Sequence, residues 1–283
     1  MSTAFLRAAH VVIDDAPPVL DDRMSLLFLP FYQRQYLAGF GQFSNPWTNR
    51  LRRRSDPFNT MRAHIVVRAR YAEDALETAR RQGAERYVVL AAGLDTFAWR
   101  QPAARVRVLE IDHPATQGWK RRLLGRSGLA TPDDVEFLPI NFEHLSLRDV
   151  WHPGPGVDFI SWLGVTYYLS REATAGTLAA LAALTPARSQ LVFDFWTKPT
   201  PLEQGLPLLL GTRIAVALLR EPMQSFYTLE EIRALAASTG WTIREVMTPA
   251  DQNERYLSGR TDRLGVPSFS YLVRLENSGA LAA

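Results

Sequence analysis

The chain has 283 residues, of which 47% are apolar and 22% charged, a composition that favours a globular protein with a large core over a disordered one. A net charge of +3 is small for this length, so nucleic acid is not the expected partner. The absence of cysteine excludes disulfides, thiolate metal ligands and cysteine nucleophiles, and we predict no metal site.

The apolar stretches of the sequence indicate neither export nor membrane insertion. Residues 1–20 lack the basic start and uninterrupted apolar segment of a signal peptide and contain two aspartates and two prolines instead. The longest apolar tract, residues 206–219, contains Arg213 and is shorter than the roughly 20 residues that a membrane span needs. We therefore expect a cytoplasmic protein with no membrane partner; the oligomeric state is unknown.

Changes in amino-acid composition along the sequence divide one predicted domain into four parts. These are an N-terminal cap (1–58), a core (59–196), a lid insertion (197–227) and a C-terminal helix with a strand pair (228–283). The cap is aromatic and punctuated by proline, and it ends in a basic run at residues 50–54. The core opens with apolar residues at helical spacing, which predict an amphipathic helix over residues 59–82 that stops at Gly83.

Short runs rich in β-branched residues alternate with helical segments in the core. The predicted strands are residues 87–92, 106–111, 135–140, 157–163 and 190–196, and the predicted helices between them are residues 115–124 and 172–184. Because parallel neighbours need crossover connections, this alternation predicts a doubly wound α/β fold with helices on both faces of the sheet.

The C-terminal part completes the predicted sheet. Thr228, with Glu231 three residues later, forms a capping box that opens a helix ending at Gly240. Residues 242–247 and 268–276 predict two further strands, separated by a polar loop, that add to one sheet edge as a hairpin-like pair. A mostly parallel sheet of seven strands results. The proline-rich and then apolar lid is expected over the carboxyl ends of the strands, where open α/β sheets bind ligands.

The turn after the first strand is the strongest candidate for a cofactor site. Small residues around Gly93 let a ligand approach the backbone closely. The next strand ends in Glu110-Ile111-Asp112, an acidic terminus placed as ribose-binding carboxylates are in nucleoside-binding folds. Turn and acid together predict a nucleoside site; the alternative is that Gly93 only ends a strand and the acids are solvated.

The glycine pattern of this turn discriminates between nucleoside cofactors. A dinucleotide site requires G-x-G-x-x-G so that backbone amides reach the pyrophosphate, but the turn reads Ala91-x-Gly93-x-x-Thr96. S-adenosylmethionine has no pyrophosphate and fits better. A nicotinamide-dependent oxidoreductase with a degenerate phosphate loop is the alternative. A nucleic-acid-binding module could use residues 50–54, although so short a basic run is more typical of a solvated linker.

Five motifs stand in order along the chain. They are residues 68–76 (RARYAEDAL), 92–96 (AGLDT), 110–114 (EIDHP), 162–169 (WLGVTYYL) and 253–256 (NERY). Together they resemble the leucine carboxyl methyltransferase family and its bacterial small-molecule O-methyltransferase relatives, from about residue 21 to the final strand. The resemblance implies a class I methyltransferase (Rossmann-like) fold that binds S-adenosylmethionine at the carboxyl ends of the strands.

The resemblance also implies roles for individual residues. Arg68 matches the family's arginine that holds the donor's carboxylate, Gly93 the glycine beside its methionine tail, and Asp112 the ribose-binding acid. The competing interpretation of Arg68, without the resemblance, is a plain surface charge on the helix. The pair that flanks adenine, usually Asp-Leu, is here Asn141-Phe142. The remaining candidates for contact with the cofactor are Ala91, Asp95, Glu110 and Leu163.

Two further positions depart from the family pattern. Ala91 replaces the first glycine of the family's turn, which costs little if the backbone there stays in an ordinary region. Leu163 replaces the frequent glutamate before Gly164, which removes a polar contact and puts protein carboxylates in doubt as acceptors.

The expected activity is methyl transfer to a carboxylate or hydroxyl of a small molecule, in bacterial secondary metabolism, with methylation of a protein C-terminus as an alternative. A carboxylate needs no base, whereas a hydroxyl does. Tyr168 matches a recurrent family tyrosine and is the candidate catalytic residue; the alternative is a core aromatic. His113 and His144 are expected to border the cofactor. Arg213 and Arg220 of the lid would suit an anionic acceptor, although an amphipathic helix explains the same pattern.

Overall fold

Seven strands form one sheet in the computed structural model, which describes residues 3–42, 58–100, 106–141, 147–198 and 223–279. The strands are β1 (Ala84–Leu90), β2 (Arg107–Asp112), β3 (Val135–Pro139), β4 (Val157–Trp162), β5 (Gln190–Trp196), β6 (Trp241–Met247) and β7 (Ser270–Asn277). Their order across the sheet is β3-β2-β1-β4-β5-β7-β6. The first five strands are parallel, and β7 runs antiparallel between β5 and β6. The predicted mostly parallel sheet, with an added strand pair at one edge, is confirmed.

The four helices that the sequence predicts in the core and the C-terminal part are present, together with others that it does not predict. Two helices of the N-terminal cap, α1 (Thr3–Ile13) and α2 (Phe31–Gln42), flank a 3-10 helix (Arg23–Phe28). The core and C-terminal helices are α3 (Asn59–Arg81), α4 (Phe97–Arg100), α5 (Pro114–Arg126), α6 (Leu147–Val150), α7 (Arg171–Leu184), α8 (Leu229–Ser238) and α9 (Pro249–Leu257), with a 3-10 turn (Thr166–Tyr168) after β4. The capping box of Thr228 and Glu231 is present at the start of α8, as predicted.

Both faces of the parallel strands are buried. On β1, Tyr87 packs in one apolar cluster with Val66 of α3, whereas its neighbour Val88 packs in another with Leu178 of α7. Successive side chains of a strand point to opposite faces, so helices must cover both faces of this sheet. The doubly wound fold is therefore confirmed, and the carboxyl ends of β1 to β5 lie along one edge.

The polar loop predicted between the last two strands is wrong, because this segment contains helix α9. Thr248 caps the helix by accepting a hydrogen bond from the Asp251 amide, and the Asp251 side chain accepts from the Thr248 amide. Gln252 and Leu257 are the buried residues of α9. With so few buried positions the apolar period is too weak to reveal the helix, and only the capping residues signal it.

The N-terminal cap packs against the core through α1. Phe5 and Leu6 share an apolar cluster with Ile65 of α3 and with Leu94, which follows β1. Of the predicted lid, the structure describes only residues 197–198 and 223–227. Other predictions fall outside the described residues, namely the basic run 50–54, Phe142, His144, Arg213 and Arg220. No helix within the described ranges is long and apolar enough to cross a bilayer.

Candidate functional site

The turn after β1 adopts left-handed backbone at two positions. Gly93 has a φ of +52° and Ala91 a φ of +57°, so the expectation of an ordinary backbone at Ala91 is wrong. The turn is closed by a hydrogen bond from the Asp95 amide to the Ala92 carbonyl (2.8 Å) and tied to β2 by one from the Ala92 amide to the Ile111 carbonyl (3.3 Å). An alanine at positive φ is strained, and such strain persists only where the surroundings fix the conformation.

We expect Ala91→Gly to raise the free energy of unfolding by about 0.5–1 kcal/mol. Removing Cβ relieves a left-handed strain of about 1–2 kcal/mol, which the added freedom of the unfolded chain partly offsets. Urea denaturation measures the change. Gly93→Ala serves as the reciprocal variant and should lower stability, since it introduces the same strain. A loss of stability in Ala91→Gly would contradict this account of the turn.

Asp112, at the end of β2, joins the two strands that carry the predicted nucleoside site. Its Oδ2 accepts a hydrogen bond from the Gly93 amide, and its Oδ1 accepts one from the His113 amide at 2.6 Å. A Cβ added at Gly93 would meet none of the described atoms within 4 Å, so the backbone of the turn is open to close approach there. His113 caps α5 by accepting from the Ala115 amide. The predicted acid and glycine thus lie together at the carboxyl edge of the sheet.

Glu110 does not share this position, although the sequence grouped it with Asp112. Its carboxylate is fully buried and accepts a hydrogen bond from Lys120 Nζ at 2.6 Å. Burial raises the pKa of Glu110 to about 7, against the opposing effect of Lys120. Its second oxygen, Oε1, is buried without a hydrogen-bond partner. The acidic terminus therefore separates into an interior ion pair at Glu110 and an edge carboxylate at Asp112, and only the second is placed to meet a ligand.

The other predicted cofactor contacts lie along the same edge. Asp95 Oδ1 accepts a hydrogen bond from the Phe97 amide (2.8 Å) and so caps α4. The Ile140 amide donates to the Asp112 carbonyl (2.8 Å), which places Asn141, the next residue, beside the end of β2. Leu163 directly follows β4. Cofactor contact by these residues stays a prediction.

Arg68 projects from α3 to the end of β4 and is 7% exposed. Its Nη1 donates to the Tyr167 hydroxyl (3.0 Å) and to Asp194 Oδ2 (3.0 Å). A Cβ at Gly164 would lie 2.6 Å from Arg68 Nη2, so the guanidinium occupies space that only glycine leaves free. Gly164 also has a φ of +80°, a left-handed conformation that favours glycine. The structure therefore makes Arg68 a buried cation at the carboxyl end of the sheet, not a surface charge.

A buried network around Asp194 fixes this cation. Asp194 Oδ1 accepts from the Gly164 amide (2.6 Å), and its Oδ2 lies 3.3 Å from His64 Nε2. The opposite ring nitrogen of His64, Nδ1, is 2.7 Å from the Ser270 hydroxyl of β7. Residues of α3, the 3-10 turn, β5 and β7 thus form one buried network around the guanidinium, which Ser270 joins through His64. We call Arg68, His64, Tyr167, Asp194 and Ser270 the arginine centre.

The charges of the arginine centre are set by burial and by Arg68. Burial alone would raise the pKa of Asp194, but Arg68, His64 and the Gly164 amide together lower it to about 2. Burial, together with the neighbouring Arg68 cation, lowers the pKa of His64 against the opposing effect of Asp194 and favours the neutral ring. Burial raises the pKa of Tyr167 and keeps its hydroxyl protonated. The centre consequently holds one guanidinium and one carboxylate in ionised form.

Asp194 should make stability depend on pH in the acid range. Its pKa is lower in the folded state than the ordinary 3.8, so its contribution is complete above about pH 4 and is lost as pH falls towards 2. The difference corresponds to about 2 kcal/mol. Urea denaturation at pH 5 and pH 3 should therefore show that the free energy of unfolding falls less between these pH values in Asp194→Asn than in the unchanged chain. Asp133→Asn, at an exposed position, is the control. An equal change in the free energy of unfolding with pH in all three proteins would contradict the prediction.

The candidate catalytic residue, Tyr168, lies in the 3-10 turn after β4. It is half-buried, and its ring contacts that of Tyr167 edge to face at 4.7 Å between centroids. The neighbour, Tyr167, is the tyrosine that contacts Arg68. A catalytic role for Tyr168 stays a prediction.

Sequence reasoning missed Asp194 and Ser270, and it named His64 only as one of five histidines that could serve as a base, without placing it beside Arg68. Asp194 carries a usable signal, because it is an acid in the middle of a strand that is buried at every position. His64 lies four residues before Arg68 and hence on the same face of α3. Ser270 could not be predicted from its neighbours in sequence, because it meets His64 only where the fold places β7 beside β5. Among the described residues, no group of three or more His, Asp or Glu side chains is arranged to hold a metal ion.

Comparison with known proteins gives the family. The leucine carboxyl methyltransferase family model matches residues 1–182 of this chain. The chain belongs to the leucine carboxyl methyltransferase family. The matched region includes the turn at Gly93, Asp112 and Arg68, so the resemblance to this family is confirmed, while the motif at residues 253–256 lies beyond the match.

Sequence relatives give the activity, and a solved structure supports the fold. A Bacillus subtilis protein named as a candidate S-adenosyl-L-methionine-dependent methyltransferase, YktD, is 35% identical over 210 residues, which are 70% of this chain and 67% of YktD. A candidate methyltransferase of the same description from Mycolicibacterium paratuberculosis is 34% identical over 140 residues, 46% of this chain and 43% of that protein. The magnesium protoporphyrin IX methyltransferase of Synechocystis PCC 6803, solved with bound SAH, has a TM-score of 0.50 at 15% identity, covering 83% of this chain and 96% of that one.

The protein is thus an S-adenosylmethionine-dependent methyltransferase with a class I fold. The nicotinamide-dependent alternative finds no support among these relatives.

Proposed function

We propose that this methyltransferase transfers a methyl group to an oxygen, either carboxylate or hydroxyl, of a small apolar molecule in bacterial secondary metabolism. The observation that carries the proposal is an aromatic wall beside the arginine centre. Trp196 lies 4.5 Å from Tyr167 and 4.8 Å from Phe269, between ring centroids, and Tyr168 adjoins the same cluster. Trp196, Tyr167 and Phe269 are buried, so half-buried Tyr168 is the ring of this cluster that a ligand can reach. An apolar cluster next to a cation suits an apolar acceptor better than a charged peptide.

The residues at the carboxyl edge fit the cofactor by their chemistry. Arg68 would hold its carboxylate, because a guanidinium forms paired hydrogen bonds with that group. The edge carboxylate of Asp112 would accept hydrogen bonds from the ribose, and the open backbone at Gly93 would admit the methionine tail. When bound, the cofactor supplies a methyl group on a sulfonium, which is electrophilic without help from the protein. The chain contributes orientation and exclusion of water.

The acceptor decides whether the protein must also move a proton. A carboxylate is ionised at neutral pH and needs only to be oriented, whereas a hydroxyl must lose its proton during transfer. We assign orientation of the acceptor oxygen, and proton acceptance where it is needed, to the hydroxyl of Tyr168. Leu163, which stands directly before Gly164, adds partly buried apolar surface at the end of β4.

Labelled methyl transfer tests the proposal. The protein is incubated with methyl-labelled S-adenosylmethionine and with panels of aromatic carboxylic acids, phenols and peptides ending in leucine. We expect label in the small-molecule fraction, with esters recognised by loss of label in mild base and ethers by its retention. Label only in the peptides, or only on nitrogen, sulfur or carbon atoms, overturns the proposal.

Tyr168→Phe should separate the two acceptor classes. Loss of the hydroxyl is expected to lower kcat about 100-fold for a phenolic acceptor, the range typical of a general base, and by less than about threefold for a carboxylate. Steady-state kinetics with one acceptor of each class measures the ratio. Equal losses for both acceptors would show that Tyr168 only supports the aromatic wall.

A further inference from the structure

The N-terminal cap reaches the cofactor turn through one buried arginine. Arg7 of α1 donates from Nη2 to the Leu94 carbonyl, immediately after Gly93. Its Nε donates to Asp22 Oδ2 (2.7 Å) and contacts the Ser25 hydroxyl (3.2 Å). Arg7 is 8% exposed and Asp22 is fully buried. The guanidinium therefore bridges the cap's carboxylate and the backbone of the turn.

Asp22 links the cap to the far end of the same turn. Its Oδ1 lies 3.6 Å from Arg100 Nε of α4, and Arg100 Nε also donates to the Thr96 hydroxyl at 2.9 Å. The guanidinium of Arg100 pairs in addition with Glu73 of α3. Burial would raise the pKa of Asp22, but Arg7 and Arg100 together lower it, which keeps the carboxylate ionised. Residues 94 and 96 are thus anchored to one buried anion that belongs to the cap.

We propose that Arg7 and Asp22 are positioning residues for the cofactor, which hold the turn at residues 91–96 in the left-handed shape that receives it. The inference rests on the proposed binding of the cofactor at this turn. The turn is strained at Ala91, and strained backbone persists only where its surroundings over-determine it. Without the bridge, the turn is relaxed in part of the molecules. The apparent affinity for the cofactor then falls in proportion to the fraction of molecules whose turn still has the shape that binds it. The cap is then part of the cofactor site.

Arg7→Lys is the informative variant. Lysine keeps the positive charge opposite Asp22, so the fold should survive, but a single ammonium cannot reproduce the planar fork that reaches both Asp22 and the Leu94 carbonyl. We expect the Kd for S-adenosylhomocysteine, measured by calorimetry, to rise about tenfold. The KM for S-adenosylmethionine should rise in parallel, while kcat at saturation changes less than about twofold, because the bound state still has the correct turn.

Arg62→Lys is the matched control. Arg62 of α3 holds the same cap through a bidentate pair with Asp14, at 2.7 Å for both contacts, but anchors it to α3 instead of to the turn. The inference is supported if Arg7→Lys and Arg62→Lys lower Tm by similar amounts and only Arg7→Lys raises the Kd for S-adenosylhomocysteine. Unchanged affinity in Arg7→Lys, or equal weakening in both variants, overturns it. Failure of the unchanged protein to bind S-adenosylhomocysteine would instead refute cofactor binding itself.

Discussion

Arg68→Ala is expected to weaken binding of S-adenosylhomocysteine at least about 30-fold, because loss of one partner of a buried charged contact costs about 2–5 kcal/mol. Arg68 is the cation of the arginine centre, and Nη1 alone already contacts both Tyr167 and Asp194. The remaining edge of the guanidinium lies against Gly164, at the carboxyl end of the sheet. Calorimetric titration of the purified variant measures the loss.

The same substitution removes the counter-charge of Asp194, so stability must be followed in parallel. An uncompensated buried carboxylate costs about 3–5 kcal/mol, and Arg68→Lys, which keeps the charge, is the safer variant. Lysine should weaken binding about tenfold, since it cannot form a fork on a carboxylate. Arg70→Ala, an exposed residue of the same helix that pairs with Asp74, should bind normally. If Arg68→Lys binds within twofold of the unchanged protein, Arg68 does not hold the cofactor.

Gly164→Ala is expected to abolish methyl transfer through displacement of Arg68. The new Cβ would lie 2.6 Å from Nη2, 2.9 Å from Nη1 and 3.0 Å from Cζ, all closer than van der Waals contact allows. Because Nη1 is held by Asp194 and Tyr167, the guanidinium moves only if those hydrogen bonds break. The left-handed φ of +80° adds strain of about 1–2 kcal/mol. We expect a loss of more than about 100-fold in kcat/KM and a lower Tm.

Gly259→Ala separates the two causes of that loss. Gly259 has a nearly equal φ of +74°, but its Cβ would meet nothing within 4 Å among the described atoms. Both variants therefore carry backbone strain, and only Gly164→Ala displaces the cation. Gly259→Ala should lose stability yet retain affinity for S-adenosylhomocysteine. Equal affinity in the two variants would show that the space at Gly164 is not needed for cofactor binding.

Much of the fold could be predicted because its signals are local. Alternating apolar runs give the parallel strands, and the Thr228 and Glu231 capping box gives α8. The edge carboxylate and its glycine turn were also predictable, since both occupy fixed places relative to strand ends. Helix α9 was not, because two buried residues give no detectable period.

The rest of the site depends on contacts between distant parts of the chain. Ser270 and His64 are 206 residues apart, and Arg7 and Leu94 are 87 residues apart. No local pattern in the sequence therefore predicts either contact. Glu110 shows the opposite difficulty: its spacing to Asp112 suggests a shared role, whereas one carboxylate faces the interior and the other the edge. The positive φ of Ala91 is likewise invisible, because alanine carries no preference for it.

The position of β7 has a consequence for the order in which the protein is made. This strand comes last in the chain yet lies between β5 and β6, so the sheet is incomplete while synthesis is under way. Until residues 270–277 leave the ribosome, β5 presents an unpaired edge and His64 lacks the Ser270 hydroxyl. The glycine turn and Asp112 can form early, whereas the arginine centre is completed only by the final strand. A nascent chain that stops short of β7 therefore has an incomplete arginine centre and an exposed strand edge that promotes aggregation.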